Sequence, residues 1–130
     1  MSEANLQKNT LIALKSLDAI PVDNPRKPGT PDINYIGGWI ELKYLPKFPK
    51  RADTIVKFPK FTPQQKVWLY KRSHKGGKCF VFVQVASLFF LFTGGFASQH
   101  LGKMTKTHML NHAVKVWDKF PFMELEEVVK

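Results

Sequence analysis

The stretch GTPDINYIGGWIELKYL (Gly29–Leu45) decides the fold. Two β-prone runs, DINYI and WIELKY, flank a Gly-Gly pair, which is the pattern of a hairpin with a tight two-residue turn. With Gly37 and Gly38 as the turn, the predicted register sets Ile36 opposite Trp39, Asn34 opposite Glu41 and Asp32 opposite Lys43. Strand side chains alternate, so Asp32, Asn34, Ile36, Trp39, Glu41 and Lys43 should share one face. Ile33, Tyr35, Ile40, Leu42 and Tyr44 should share the other. Asp32 and Glu41 then become diagonal neighbours, about 7–8 Å apart at the backbone. One metal ion would reach both carboxylates.

Working outward, Leu6, Thr10, Ile12, Ala13, Leu14 and Leu17 follow helical spacing after Ser2, an N-cap candidate, and predict a helix over residues 3–17. A short strand is expected over 19–23, before the turn region NPRKPGTP. Beyond the hairpin, PKFPKRADTIVKFPKF has no periodicity and reads as a basic surface loop. In TPQQKVWLYKRSHKGG, Thr62 is the N-cap, Pro63 suits the first helical position, and the glycines after Lys75 stop the helix. KCFVFVQVA and SLFFLF read as paired central strands, followed by short helices over 96–101 and 105–112 and a last strand in AVKVW. The expected fold is α+β in three layers, a central mixed sheet flanked by helices in the order α-β-β-β-α-β with C-terminal additions.

The chain has 130 residues, a length that supports one core, so a single domain over 1–130 is expected. Its composition, 44% hydrophobic and 23% charged, excludes disordered and fibrous classes. Lys and Arg number 20 against 10 Asp and Glu, and nine of the ten net positive charges fall between Lys47 and Lys78. Such clustering favours a phosphate-rich partner over a merely solvated surface. Cys79 is the lone cysteine, which fits a reducing compartment, and no signal-peptide core or membrane-length apolar run is present; a cytoplasmic location is expected.

Two carboxylates suit a hard cation such as Mg²⁺, with Mn²⁺ as a substitute, and a lysine on the same face can orient or deprotonate an attacking water. The chemistry that follows is phosphodiester hydrolysis; the competing explanation is a cross-strand ion pair. Other patterns are weaker. His108 and His112 have zinc-compatible spacing with His100 nearby, yet no Glu follows His108, so a packed or exposed helical face accounts for them. Cys79 reads as a buried small residue, and Gly76-Gly77 and Gly94-Gly95 as turns. Trp39, Trp68 and Tyr70 are attributed to packing, whereas Phe48, Phe58 and Phe61 alternate with lysines and are candidates for nucleic-acid or dimer contact. The acidic tail, Glu124, Glu126 and Glu127, reads as a solvated terminus.

Pro31-Asp32, eight residues, then Glu41-Leu42-Lys43 resembles the signature of the PD-(D/E)XK nuclease superfamily, with its restriction-endonuclease-like fold. GTPDI, WIELK and TPQQKVWLYKRSHKGGKCFVFV narrow the resemblance to small VRR-NUC-type enzymes, a group that includes phage-encoded and bacterial endonucleases similar to Holliday junction resolvases. The resemblance implies a Mg²⁺-dependent DNA endonuclease, a hydrolase of DNA recombination acting as a homodimer on branched DNA. It implies Asp32, Glu41 and the Leu42 carbonyl as metal ligands and Lys43 beside the nucleophilic water. Gln65 would sit next to the site, with Gln64 its easily confused neighbour, and Glu3 would approach from the first helix directly or through a water. Glu3 also has the simpler explanation of a solvated first-turn acid. Arg26, Lys27, Lys47, Lys50, Arg51, Lys57, Lys60, Lys66, Arg72 and Lys75 are the expected DNA contacts. Alternatives are a catalytically silent nucleic-acid-binding module of the same fold, and an RNA-directed or protein-interaction domain.

Overall fold

The hairpin turns one residue earlier than expected. In the computed structural model, which describes residues 2–130, β2 (Ile33–Tyr35) pairs antiparallel with β3 (Gly38–Leu45) through Tyr35 opposite Gly38, Asn34 opposite Trp39 and Ile33 opposite Ile40. Ile36 and Gly37 therefore form the turn, with Gly37 at φ +102°. Gly38 serves a different need: a Cβ there would lie 2.5 Å from the Tyr35 hydroxyl and 2.9 Å from the Lys78 carbonyl. This corrects the predicted register by two residues. A two-residue slip restores the side-chain alternation, so the two faces are as expected except for Ile36, which sits exposed in the turn.

The strands form one six-stranded mixed sheet in the order β1-β2-β3-β4-β5-β6. Only β3 and β4 (Cys79–Val85) run parallel, joined by the basic loop and α2 (Pro63–His74); β5 (Leu88–Thr93) and β6 (Lys115–Trp117) add antiparallel. β1 is only Ile20–Pro21, an exposed edge where proline's missing N–H costs no ladder bond. α1 (Glu3–Ala13) starts at its Ser2 cap and stops short of the predicted residue 17. A 3-10 turn, Lys15–Leu17, replaces the last helical turn, and Asp18 at φ 55° redirects the chain into β1. No helix among the described residues is long and apolar enough to cross a membrane.

Helices cover both sheet faces. α1 packs Leu6 and Leu14 over Ile33, Tyr35, Ile40 and Leu42, while α2 lies on the opposite face with Leu69 against Val81, Val83 and Phe92. Thr62 and Gln65 close a reciprocal capping box at the start of α2. Gly94-Gly95, expected as a turn, instead opens α3 (Gly94–His100). A Cβ on Gly94 would overlap the Cys79 sulfur, and one on Gly95 would come within 2.6 Å of Ser73 Oγ, so these glycines permit close packing of α3 on α2. Cys79 is buried, with its thiol directed at the Leu69 carbonyl.

Two further expectations are corrected. Phe58 and Phe61 are 8% and 4% exposed and belong to the core, and Phe48 packs edge-on against Phe90. The loop is therefore anchored inward, aided by the Val56 N–H donating to the Met104 carbonyl at 2.8 Å. The acidic tail is anchored, because α5 (Leu125–Val129) docks through buried Leu125 and Val129, while Glu124 and Glu127 stay exposed as expected. The Tyr35 hydroxyl donates to the Val129 carbonyl at 2.6 Å, and Lys78 Nζ to the Lys130 carbonyl at 2.7 Å. α4 (Lys106–His112) matches the expected segment, and His100 and His112 both lie against the Phe96 ring.

Candidate active site

β2 and β3 bring Asp32, Glu41 and Lys43 together. The ladder ends at Ile33 opposite Ile40, and Asp32 lies one residue beyond it. Asp32 Oδ2 accepts the Leu42 N–H at 2.8 Å, so the carboxylate is clamped to the strand that carries the other two residues. The Leu42 main chain thus lies beside Asp32, whereas its side chain is buried on the opposite face.

Glu41 is 2% exposed and Lys43 5%. Lys43 Nζ lies 2.9 Å from Glu41 Oε2, donates to the Lys60 carbonyl at 3.2 Å, and sits 5.6 Å from the centre of the Phe61 ring. Glu41 Oε1 is buried, and among the described residues no N–H donor reaches it. Burial pushes the Glu41 carboxyl up to about 8; the Asp32 carboxylate adds to the rise, and Lys43 opposes it without cancelling it. A hydrogen bond between the Glu41 and Asp32 side chains contributes to the rise, so below about pH 8 the proton on Glu41 is shared with Asp32. Two acids crowded together beside an ammonium are the arrangement in which a cation would replace that proton.

Among the described residues no group of three or more His, Cys, Asp and Glu side chains forms a metal cluster. The pair Asp32 and Glu41 still suits Mg²⁺, which is held by one or two carboxylates and keeps several waters.

Glu3, exposed at the start of α1, lines a cavity of about 500 Å³ together with Lys43, Lys60, Tyr44 and Phe58. Gln65 is committed to the helix cap, its Oε1 accepting the Thr62 N–H at 3.0 Å. Gly29, at φ +93°, lets the GTPD segment press against the backbone of Gln64 and Gln65, which holds the N-terminus of α2 to the loop bearing Asp32.

Of the expected DNA contacts, Lys27, Arg72 and Lys75 line a second, larger groove beside α2, and Lys60 lines the cavity next to Lys43. Lys66 lies over Phe61 at 5.4 Å, and Arg51 is exposed and paired with Asp53 at 3.2 Å. Arg26, Lys47, Lys50 and Lys57 are exposed and line neither cavity. Sequence reasoning missed Lys71 and the two tryptophans of the larger groove, Trp39 and Trp68. The signal was available: Gln64, Val67, Lys71 and Lys75 recur at helical spacing, and Trp39 shares the strand face of Glu41.

Compared with models of known protein families, with curated proteins and with solved structures, the chain matches none.

Proposed function

We propose that the chain is a metal-dependent endonuclease that hydrolyses phosphodiester bonds in DNA on a restriction-endonuclease-like core, with branched DNA such as Holliday junctions as its substrate. The observation that carries this reading is the crowded pair of acids: Glu41, 2% exposed, keeps its proton up to about pH 8 beside Asp32, with the Lys43 ammonium 2.9 Å from Glu41 Oε2. Asp32 and Glu41 would hold Mg²⁺, or Mn²⁺ in its stead, with the Leu42 carbonyl as a further ligand. When bound, the cation supplies Lewis-acid polarisation of the scissile phosphate. Lys43 orients the attacking water and balances charge building on the phosphate oxygens. Its ammonium is held ready by the Lys60 carbonyl and by Glu41. Glu3 would reach the same cavity from α1, and Gln65 would brace the Asp32 loop through the α2 cap.

Net charge of +10 gives the phosphate backbone its complement, so binding should weaken steeply with salt. A homodimer would double that surface and set two sites against two strands. The alternative, a silent binding module, draws support from the Glu41–Lys43 contact, which is what a structural ion pair looks like. It leaves unexplained why a second acid, Asp32, is crowded against a buried Glu41 that already has its lysine.

The deciding experiment incubates labelled four-way junction, flap, duplex and single-stranded DNA with Mg²⁺ and either wild type or Asp32→Ala. Cleavage by wild type that vanishes in the variant, with binding kept, is expected. Binding without cleavage in both Mg²⁺ and Mn²⁺ would overturn the nuclease and favour the binding module.

A further inference from the structure

Trp39, Trp68 and Arg72 form a tier on the α2 face of the sheet. The indoles meet edge to face with centroids 5.3 Å apart, and the Arg72 guanidinium lies 4.4 Å over Trp68 and 5.7 Å from Trp39. They line an open groove of about 880 Å³, within the range of small-ligand sites, and Lys27, Lys71 and Lys75 complete its rim. No carboxylate lines it. Both tryptophans pack against the core yet keep part of their surface open to the groove, beside its cations.

We infer that this groove binds unpaired nucleotides of a DNA strand, with a base stacked on the Trp68–Arg72 tier and the flanking phosphates held by Lys27, Lys71 and Lys75. Guanidinium planes and indoles stack on any base, and a cationic groove without acids tracks the backbone. Position favours the same occupant. Trp39 precedes Glu41 by two residues on one strand face, a rise of about 7 Å. Thr30, also on the groove wall, precedes Asp32 by two. A strand seated in the groove would deliver a neighbouring phosphate to the carboxylates. This inference rests on the nuclease reading and names the part of a branched substrate that the site engages: its single-stranded element.

Binding measured in EDTA separates the two ideas, since no cleavage is required. Fluorescence anisotropy would be recorded for labelled single-stranded, flap and fully paired DNA, and for a single strand of equal length carrying abasic residues. The variants are Lys71→Glu/Lys75→Glu in the groove and Lys8→Glu/Lys15→Glu outside it, which change the charge equally at exposed positions. The groove pair should weaken single-stranded and flap binding about tenfold or more and duplex binding less than about threefold, and the outside pair should weaken single-strand binding less than about threefold. The abasic strand should bind wild type about tenfold more weakly than the intact strand. Equal losses from the two variants, equal affinity for abasic and intact strands, or no single-strand binding would each overturn the groove assignment. Any of these with cleavage intact would leave the nuclease standing; groove binding without Mg²⁺-dependent cleavage would do the reverse.

Discussion

The Asp32 carboxylate is tied to the backbone of the strand that carries Glu41 and Lys43, through Oδ2 and the Leu42 N–H at 2.8 Å. A charge-assisted bond of this kind does two things: it holds a catalytic candidate in place and it stabilises the hairpin.

The two roles separate by substitution. Asp32→Asn keeps an acceptor for Leu42 and Asp32→Ala does not, so both variants should lose cleavage while Ala melts a few degrees below Asn, for a bond contributing about 1–2 kcal/mol. Residual cleavage in either variant near the wild-type rate would remove Asp32 from the site.

Glu41 gives a pH signature. Its folded-state pKa is raised from 4.5 to about 8, so below 4.5 both states are protonated and the shift costs nothing. As pH rises from about 4.5 toward 8 the unfolded chain ionises first, and stability falls by up to about 1.4 kcal/mol per unit. Above about 8 the folded carboxyl ionises too and the loss levels off. Melting curves of wild type and Glu41→Gln in EDTA from pH 5 to 9 should therefore diverge to the variant's advantage. Parallel curves would contradict the buried, proton-holding carboxyl.

Divalent cation should reverse that loss. At pH 8 and a Mg²⁺ concentration about 100 times its dissociation constant, wild type should gain about 2.7 kcal/mol, read as a rise in Tm, and Glu41→Gln should gain far less. An equal rise in both proteins would mean that the cation binds elsewhere.

Gly29 and Gly37 both have positive φ but differ in their surroundings. A Cβ on Gly37 meets nothing within 4 Å, whereas one on Gly29 would overlap the Gln64 backbone. Gly37→Ala should cost about 1 kcal/mol of backbone strain and Gly29→Ala about 2–4 kcal/mol, because the Asp32 loop must also shift off α2. Chemical denaturation compares them directly, and similar costs would refute the close approach.

Tyr35→Phe should destabilise by about 1–2 kcal/mol by removing the donor to the Val129 carbonyl. Hydrogen exchange should quicken in α5 before the rest of the chain. Unchanged exchange in α5 would show that Leu125 and Val129 suffice to hold it.

The faces of the hairpin, the Thr62 N-cap of α2 and the strand–helix–strand connection through α2 were all legible locally. Each depends on neighbours within a few residues: a period of two, an N-cap followed by proline, glycines after a helix. The role of Gln65 was not, since it was expected beside the metal site and instead closes the capping box with Thr62. The register was not legible, because two adjacent glycines offer two turns whose side-chain faces are identical. Only the Tyr35 hydroxyl and the Lys78 carbonyl, packed over Gly38, select the turn at Ile36-Gly37. Likewise, alternating Phe and Lys in the loop shows no period, and the inward anchoring of Phe58 and Phe61 comes from a core assembled by distant strands and helices. The sequence by itself determined which charges share a face. Tertiary structure alone decided that Asp32 clamps the Leu42 N–H and that burial makes Glu41 hold its proton beside Asp32, because desolvation and cross-strand contact exist only once the sheet and its covering helices have formed.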